Sequence, residues 1–185
     1  MSVSPFQTVG PFFEVMLRSR APLQMVGPGT RGERVAIEGV LADGAGNPIP
    51  DALVEIWQAD AAGRYAHPAD PQHAAADPSF HGYGWRHTVD NGRFSFDTIK
   101  PGAVAGPAGR IQAPHILVSV MARGILTRFL TRLYFEDEPA NDRDPILALV
   151  PAARRHTLIA RRADDDHYIF DIRIQGPGET VFFDL

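Results

Sequence analysis

Apolar and polar residues alternate with a period of two along several short stretches of this chain. In the first of them Val35, Ile37 and Leu41 share one side, and in another Phe94 and Phe96 do so. A period of two is the side-chain repeat of a β-strand that buries one face and exposes the other. The pattern predicts one-sided strands at residues 34–42, 52–58, 94–97 and 167–174.

The longest apolar-rich stretch runs from Ala113 to Phe135. Nearly every residue between Ile116 and Met121 is apolar, which is typical of a strand buried on both faces. The chain turns at Arg123–Gly124, and the returning segment up to Phe135 alternates again. We therefore expect a central antiparallel hairpin in this region.

Two further hairpins are expected from turn residues that separate strand patterns. The cluster at residues 43–48 (DGAGNP) joins the strands predicted at 34–42 and 52–58, a pairing common in transthyretin-like sandwiches. Near the end, Gln175–Gly178 joins the strand at 167–174 to residues 180–183. Residues 145–158 suit one or two short helices, because Pro151 prevents a single long one.

Composition supports an all-β fold. The chain has 185 residues with 17 glycines and 16 prolines, which favours many turns, and the length suits one domain with a proper core. We predict a single domain over residues 1–185, with residues 1–33 as an N-terminal arm. Its fold is expected to be a β-sandwich of mixed or antiparallel strands with long loops and one or two short helices.

Charge and motifs exclude several functions. The net charge is −4 with no basic stripe, which argues against nucleic acid, and there is no cysteine for a disulfide, thiolate site or nucleophile. No glycine-rich nucleotide loop and no GxSxG elbow is present. The N-terminus lacks a signal-peptide pattern and no apolar run approaches a membrane span, so we expect a cytoplasmic protein without membrane contact.

The long irregular segment at residues 59–85 is a candidate functional loop, since such length is unusual in a compact domain. It carries His67, His73 and His81, but their spacing matches no metal signature. We interpret them as solvated loop residues. The run Asp164–Asp166 is interpreted as a solvated turn, because consecutive side chains on a strand point to opposite faces.

The N-terminal segment QTVGPFF combines a Gly-Pro pair with two aromatic residues. Such an arm either packs along its own domain or reaches over another chain. The sequence pattern alone favours the first arrangement.

Five segments together carry a family resemblance: QTVGPFF, VEIWQADAAGRY, DNGRFSFDTIKPG, the stretch from APHI to LTRLYF, and YIFDIRIQGPGETVFFDL. In this combination, over nearly the whole chain, the sequence resembles the intradiol aromatic-ring dioxygenases. The resemblance implies a β-sandwich in which two tyrosines and two histidines hold Fe(III), and cleavage of a catecholic ring between its hydroxyls. Tyrosinate oxygens suit this hard ion.

The family's ligand positions map onto Gln72, Val104, His115 and Leu117. Three of these four residues cannot replace the family's ligands, and one histidine does not hold Fe(III). The resemblance therefore implies no metal and no catalytic residue in this chain. His115 is expected to be an ordinary strand histidine with a hydrogen bond.

Within the family, the chain looks like an iron-free α-type chain that pairs with a homologous iron-binding β chain in a higher-order hetero-oligomer. The resemblance implies Fe(III) in the partner, and protocatechuate and O₂ as substrates. It assigns Thr8, Gly10, Pro11 and Arg123 to the wall of a substrate pocket between the chains. An arginine at a strand end can pair with the substrate carboxylate. Without the resemblance, we would interpret Arg123 as a solvated turn residue.

Two alternatives remain at this stage. One is a self-sufficient intradiol dioxygenase for catechol or hydroxyquinol, with a different iron site that uses His67, His73 or His81. The other is a non-catalytic transthyretin-like binding domain. Activity only in the presence of a second chain would separate the subunit hypothesis from both.

Overall fold

A computed structural model describes residues 5–10, 12–18 and 21–184 of the chain. Strand β1 (Arg34–Ala42) lies at the centre of one part of the sheet, and buried residues alternate along it as the sequence predicts. It pairs antiparallel with β4 (Arg93–Ile99) on one edge. On the other edge it pairs in parallel with β10 (His167–Ile169) and β11 (Ile172–Arg173).

The central hairpin forms the other part of the sheet. Strand β7 (His115–Met121) pairs antiparallel with β8 (Phe129–Phe135), from His115 opposite Tyr134 to Val120 opposite Phe129. Strand β2 (Leu53–Trp57) lies on the far side of β7, and β3 (Tyr83–His87) on the far side of β2. The predicted central hairpin is therefore confirmed.

One strand connects the two parts. Strand β9 (Ile159–Arg162) runs parallel to β8 and antiparallel to β10, so nine strands form one hydrogen-bonded sheet. A separate two-stranded ribbon joins β5 (Val104–Ala105) and β6 (Ile111–Gln112). The described residues contain one α-helix, α1 (Phe12–Arg18), and 3₁₀ helices at His73–Ala75, Pro107–Gly109, Pro139–Arg143, Leu147–Leu149 and Ala152–Leu158.

The nine strands curve around one apolar core. Residues from both parts of the sheet share this cluster, including Ile37, Val54, Phe96, Ile116 and Leu133. The all-β prediction is confirmed. A sandwich of two separate layers is not confirmed, because β9 makes the sheet continuous and barrel-like. The short helices expected at residues 145–158 are 3₁₀ rather than α-helical.

The predicted hairpin of β1 with β2 is wrong. These strands pair with different neighbours, β1 with β4, β10 and β11, and β2 with β3 and β7. The turn residues at 43–48 lead the chain from one part of the sheet to the other. Strand β1 packs closely against the segment that contains Phe170. A Cβ atom at Gly39 would lie only 1.9 Å from the Phe170 carbonyl oxygen.

The predicted closing hairpin is also wrong. The strand pattern at 167–174 breaks between Ile169 and Ile172, where the Asp171 carboxylate accepts a hydrogen bond from the Val40 backbone N–H. Residues 180–183 form no strand. They lie against the sheet instead, with the Phe183 N–H donating to the Leu130 carbonyl.

A second, smaller core lies behind the start of β7 and includes Tyr134, Leu147 and Leu158. Its polar centre is the buried carboxylate of Asp144. This carboxylate accepts hydrogen bonds from the Tyr134 hydroxyl and from three backbone N–H groups, those of Ala113, Ile146 and Leu147. Asp144 thereby fixes the chain that enters β7. In the described part, no helix is long and apolar enough to cross a membrane.

Candidate functional site

Thr8 and the backbone on both sides of Arg123, which the family resemblance assigns to one site, lie together in the structure. The Thr8 hydroxyl accepts a hydrogen bond of 2.7 Å from the Gly124 backbone N–H. It also donates a long hydrogen bond of 3.5 Å to the Ala122 carbonyl. One hydroxyl therefore contacts the backbone on both sides of Arg123. This arrangement ties the N-terminal arm to the turn of the central hairpin.

The Arg123 side chain is held by a second contact. Its Nη2 atom lies 2.8 Å from Oδ2 of Asp51, and its side chain remains 60% exposed. Asp51 lies just before β2, so the turn of the hairpin and the start of a neighbouring strand meet here. The guanidinium thus has one fixed partner, and its exposed side can donate hydrogen bonds to a carboxylate.

Of the other two predicted pocket residues, the structure describes only Gly10. Gly10 is exposed, a Cβ atom there would meet nothing within 4 Å, and its carbonyl accepts from the Phe13 N–H at the start of α1. Pro11 lies outside the described residues. The role of these two residues stays a prediction.

The arm divides into an exposed and a packed part. Phe6, Phe12, Val15 and Met16 are all at least 60% exposed, although all four are large apolar residues. Further along, Met25 is 1% exposed and belongs to the main core. The arm therefore packs on its own domain at Met25, whereas these four side chains present apolar surface to the outside.

Two of the three positions at which a family metal ligand is replaced line one cavity. Gln72 and Val104 lie on the wall of a cavity of about 410 Å³, beside Trp57 and Tyr65. The rings of these two aromatic residues stack with centroids 6.0 Å apart. His67 also lines this cavity and packs edge-on against Trp57. All three loop histidines are exposed, as the sequence interpretation expects.

His115 opens β7 and is buried. Its Nδ1 atom lies 2.7 Å from the Ala113 carbonyl oxygen, the ordinary strand hydrogen bond that the sequence analysis expects. Burial, and then the nearby Arg132 guanidinium, lower the pKa of His115 to about 4. Leu117 follows on the same side of the strand and pairs with Arg132 of β8.

These residues do not fit a ferric ion. The amide of Gln72 and the apolar side chains of Val104 and Leu117 supply no anionic ligand. Arg132 places a fixed positive charge beside His115, which disfavours a cation there. Among residues 5–10, 12–18 and 21–184, no group of three or more His, Asp or Glu side chains could hold a metal ion. We derive no metal chemistry from this chain.

Sequence reasoning missed two residues of this region, Asp51 and Arg132. Asp51 lies in a proline-containing turn, where acidic residues are common. Arg132 belongs to an alternating strand and resembles any outward-facing arginine. Its Nη1 atom donates to the Gln112 side chain at 2.6 Å. The place of both residues beside the site becomes visible only when segments distant in the sequence are brought together by the fold.

Comparison with known proteins identifies the family of this chain. A family model described as "Dioxygenase" matches residues 10–176. A solved dioxygenase domain from Streptomyces sp. SirexAA-E, part of a carbohydrate-binding fusion protein, superimposes with a TM-score of 0.62 and 25% identity over 94% of this chain and 98% of that one. The chain belongs to the intradiol dioxygenase family.

Within the family, the chain is similar to both subunits of protocatechuate 3,4-dioxygenase. The chain is 42% identical to the protocatechuate 3,4-dioxygenase alpha chain of Burkholderia cepacia, over 98% of this chain and 97% of that protein. It is 39% identical to the beta chain from the same organism, over 80% of this chain and 67% of that one. The chain is therefore similar to both kinds of subunit, and over more of its length to the alpha chain.

Proposed function

We propose that this chain is the iron-free subunit of an intradiol dioxygenase that cleaves protocatechuate with O₂. The product is 3-carboxy-cis,cis-muconate, in which one ring C–C bond is broken and both atoms of O₂ are incorporated. The observation that carries the proposal is the contrast between two regions of the chain. Three of the four metal-ligand positions are replaced, while Thr8 and Arg123 form an exposed polar site held by hydrogen bonds and an ion pair.

The proposed role of this site is to form one wall of a pocket completed by the partner chain. Arg123 pairs with the substrate carboxylate through the N–H groups that Asp51 leaves open. Thr8 holds the turn that carries Arg123. Gly10 and Pro11, of which only Gly10 is described, are assigned to the same wall by the family resemblance. The chain itself supplies position and charge.

The proposed partner is a homologous iron-binding β chain, which would hold the Fe(III). The exposed apolar side chains of the arm, above all Phe12, suit burial against another chain. In the 1–33 arm of a single 1–185 domain, the exposed part before Met25 would then contact the partner in a higher-order αβ oligomer. Cytoplasmic aromatic degradation, by the β-ketoadipate route, is the proposed setting.

Visible absorption of the purified chain tests the metal part of this proposal. The chain is expressed alone, supplied with ferric iron and freed of excess metal. We expect a colourless protein with less than about 0.1 iron atom per chain, because the ligand positions lack tyrosinate. A broad charge-transfer band with stoichiometric iron would contradict the proposal. A homologous β chain, expressed on its own and treated in the same way, is the positive control.

A further inference from the structure

Asp51 has an unusual backbone conformation. Its φ is +59°, and among the described residues only one other non-glycine residue, Ala108, has a positive φ. Aspartate tolerates this left-handed region better than most residues, yet a strained backbone persists only where the surroundings determine it. The surroundings of Asp51 therefore show why it is held this way.

The buried Thr88 determines the backbone at Asp51. Its hydroxyl donates to the Ile49 carbonyl at 2.8 Å and accepts from the Ala52 N–H at 3.0 Å. Its carbonyl accepts from the Asp51 N–H at 3.3 Å. Three hydrogen bonds thus fix the chain on both sides of Asp51 and set the direction of its side chain.

The fixed direction brings the Asp51 carboxylate to Arg123. The Asp51 side chain is 13% exposed, whereas that of Arg123 is 60% exposed. The carboxylate is therefore covered and the guanidinium lies on the outside. No second ion pair or hydrogen bond of this guanidinium is found within residues 5–10, 12–18 and 21–184, which leaves most of its N–H groups for a ligand.

From these contacts we infer that Asp51 is a positioning residue, which orients the Arg123 guanidinium toward the carboxylate of the substrate. The inference rests on the proposed function. Thr8 fixes the backbone around Arg123 and Asp51 fixes its side chain, so the arginine does not lose side-chain freedom again when the substrate binds. Asp51 does not touch the substrate. It affects how tightly the substrate carboxylate is bound and not the rate of ring cleavage.

Steady-state kinetics of the complete αβ enzyme test this inference. Two variants remove the carboxylate in different ways. Asp51→Asn keeps the shape of the side chain, and Asp51→Gly suits the positive φ, so it removes the side chain without strain. Asp142→Asn, at an exposed aspartate elsewhere, is the control for the loss of one negative charge. Substrates are protocatechuate and 4-methylcatechol, which carries a methyl group in place of the carboxylate.

We expect both Asp51 variants to raise KM for protocatechuate at least about fivefold, with kcat and KM for 4-methylcatechol within about twofold of wild type. Asp142→Asn should leave kcat and KM unchanged for both substrates. A KM for protocatechuate that stays within about twofold, or falls, in Asp51→Gly would overturn the inference. Equal losses for both substrates would also overturn it, because they would indicate a merely structural role.

A parallel Arg123→Gln variant separates this inference from the proposed function. If Arg123→Gln raises KM for protocatechuate and the Asp51 variants do not, Arg123 binds the carboxylate without help, and only the positioning role of Asp51 is wrong. If Arg123→Gln itself leaves the preference for protocatechuate unchanged, the pocket assignment of the proposed function is wrong, and the inference falls with it.

Discussion

The Thr8 hydroxyl and the Gly124 backbone N–H form a hydrogen bond of 2.7 Å between residues 116 positions apart. It joins the N-terminal arm to the turn of the central hairpin, directly beside Arg123. Gly124 has a φ of +86°, so the turn depends on glycine at this position. This single contact brings together two residues that the family resemblance assigns to one pocket.

Replacing Thr8 tests this link. Thr8→Val keeps the shape and removes the hydrogen-bond acceptor, whereas Thr8→Ser keeps the hydroxyl. In the αβ enzyme, we expect Thr8→Val to raise KM for protocatechuate about three- to tenfold because the turn with Arg123 loosens, and Thr8→Ser to remain near wild type. Hydrogen exchange of the Gly124 amide should accelerate in the valine variant alone. Unchanged exchange would show that the contact does not hold the turn.

Phe12 should contribute to assembly rather than to the fold of the chain, since its side chain is 80% exposed. We expect Phe12→Ser to leave thermal unfolding of the isolated chain unchanged and to weaken binding of the β chain at least about tenfold, as loss of an aromatic anchor does. Leu149→Ser is the matched control, because Leu149 is 76% exposed at a distant 3₁₀ helix. Sedimentation of mixed chains measures the difference. Equal weakening by both variants would contradict a specific role of the arm.

Asp144 should matter for stability. It is 1% exposed and accepts four hydrogen bonds, so Asp144→Ala removes the partner of four donors, three of which are buried. We expect a loss of about 3 kcal/mol or more in the free energy of unfolding, measured by urea titration. Asp142→Ala, two residues earlier on the surface, should change it by less than about 0.5 kcal/mol. A loss below about 1 kcal/mol at Asp144 would contradict its role at the centre of the second core.

His115 should make stability depend on pH between about 4 and 6.5. Burial and the Arg132 guanidinium lower the pKa of His115 to about 4 in the folded chain, against 6.5 when unfolded. Between these values the unfolded chain binds more protons, so this contribution to stability is complete above pH 6.5 and is lost as pH falls toward 4. The loss amounts to roughly 3 kcal/mol.

His115→Gln should flatten this dependence, because glutamine does not titrate. The free energy of unfolding, measured at pH 7 and at pH 4.5, gives the slope for both proteins. His81→Gln, at an exposed histidine, is the matched control for the substitution itself. The same slope in His115→Gln as in wild type would show that another group causes the pH dependence.

The strands themselves could be predicted from the sequence because their periodicity is local. The apolar alternation of β1, the two phenylalanines of β4 and the turn between β7 and β8 all appear in the structure. The neighbours of β1 and β2 in the sheet could not be predicted correctly. Turn residues at 43–48 suit a hairpin, but burial of the apolar face of β1 against a shared core selects β4, β10 and β11 as its neighbours.

The candidate site could be predicted only where the family resemblance supplied positions. Thr8 and Arg123 have no common periodicity, and their proximity results from the folding of the arm onto the hairpin turn. Asp51 gives no sequence signal, since its role depends on the positive φ that Thr88 fixes across the fold. Such contacts between distant residues come from the packing of whole strands, which a local pattern does not determine.

The central claim is that this chain supplies a pocket wall and no metal, so that activity needs a second chain. Oxygen uptake with protocatechuate tests it most directly, with this chain alone, an iron-loaded β chain alone, and the two co-expressed. We expect no uptake by this chain alone, and uptake by the co-expressed pair at least about tenfold above that of the β chain alone. Iron-dependent uptake by this chain alone, or an equal rate without it, would contradict the account.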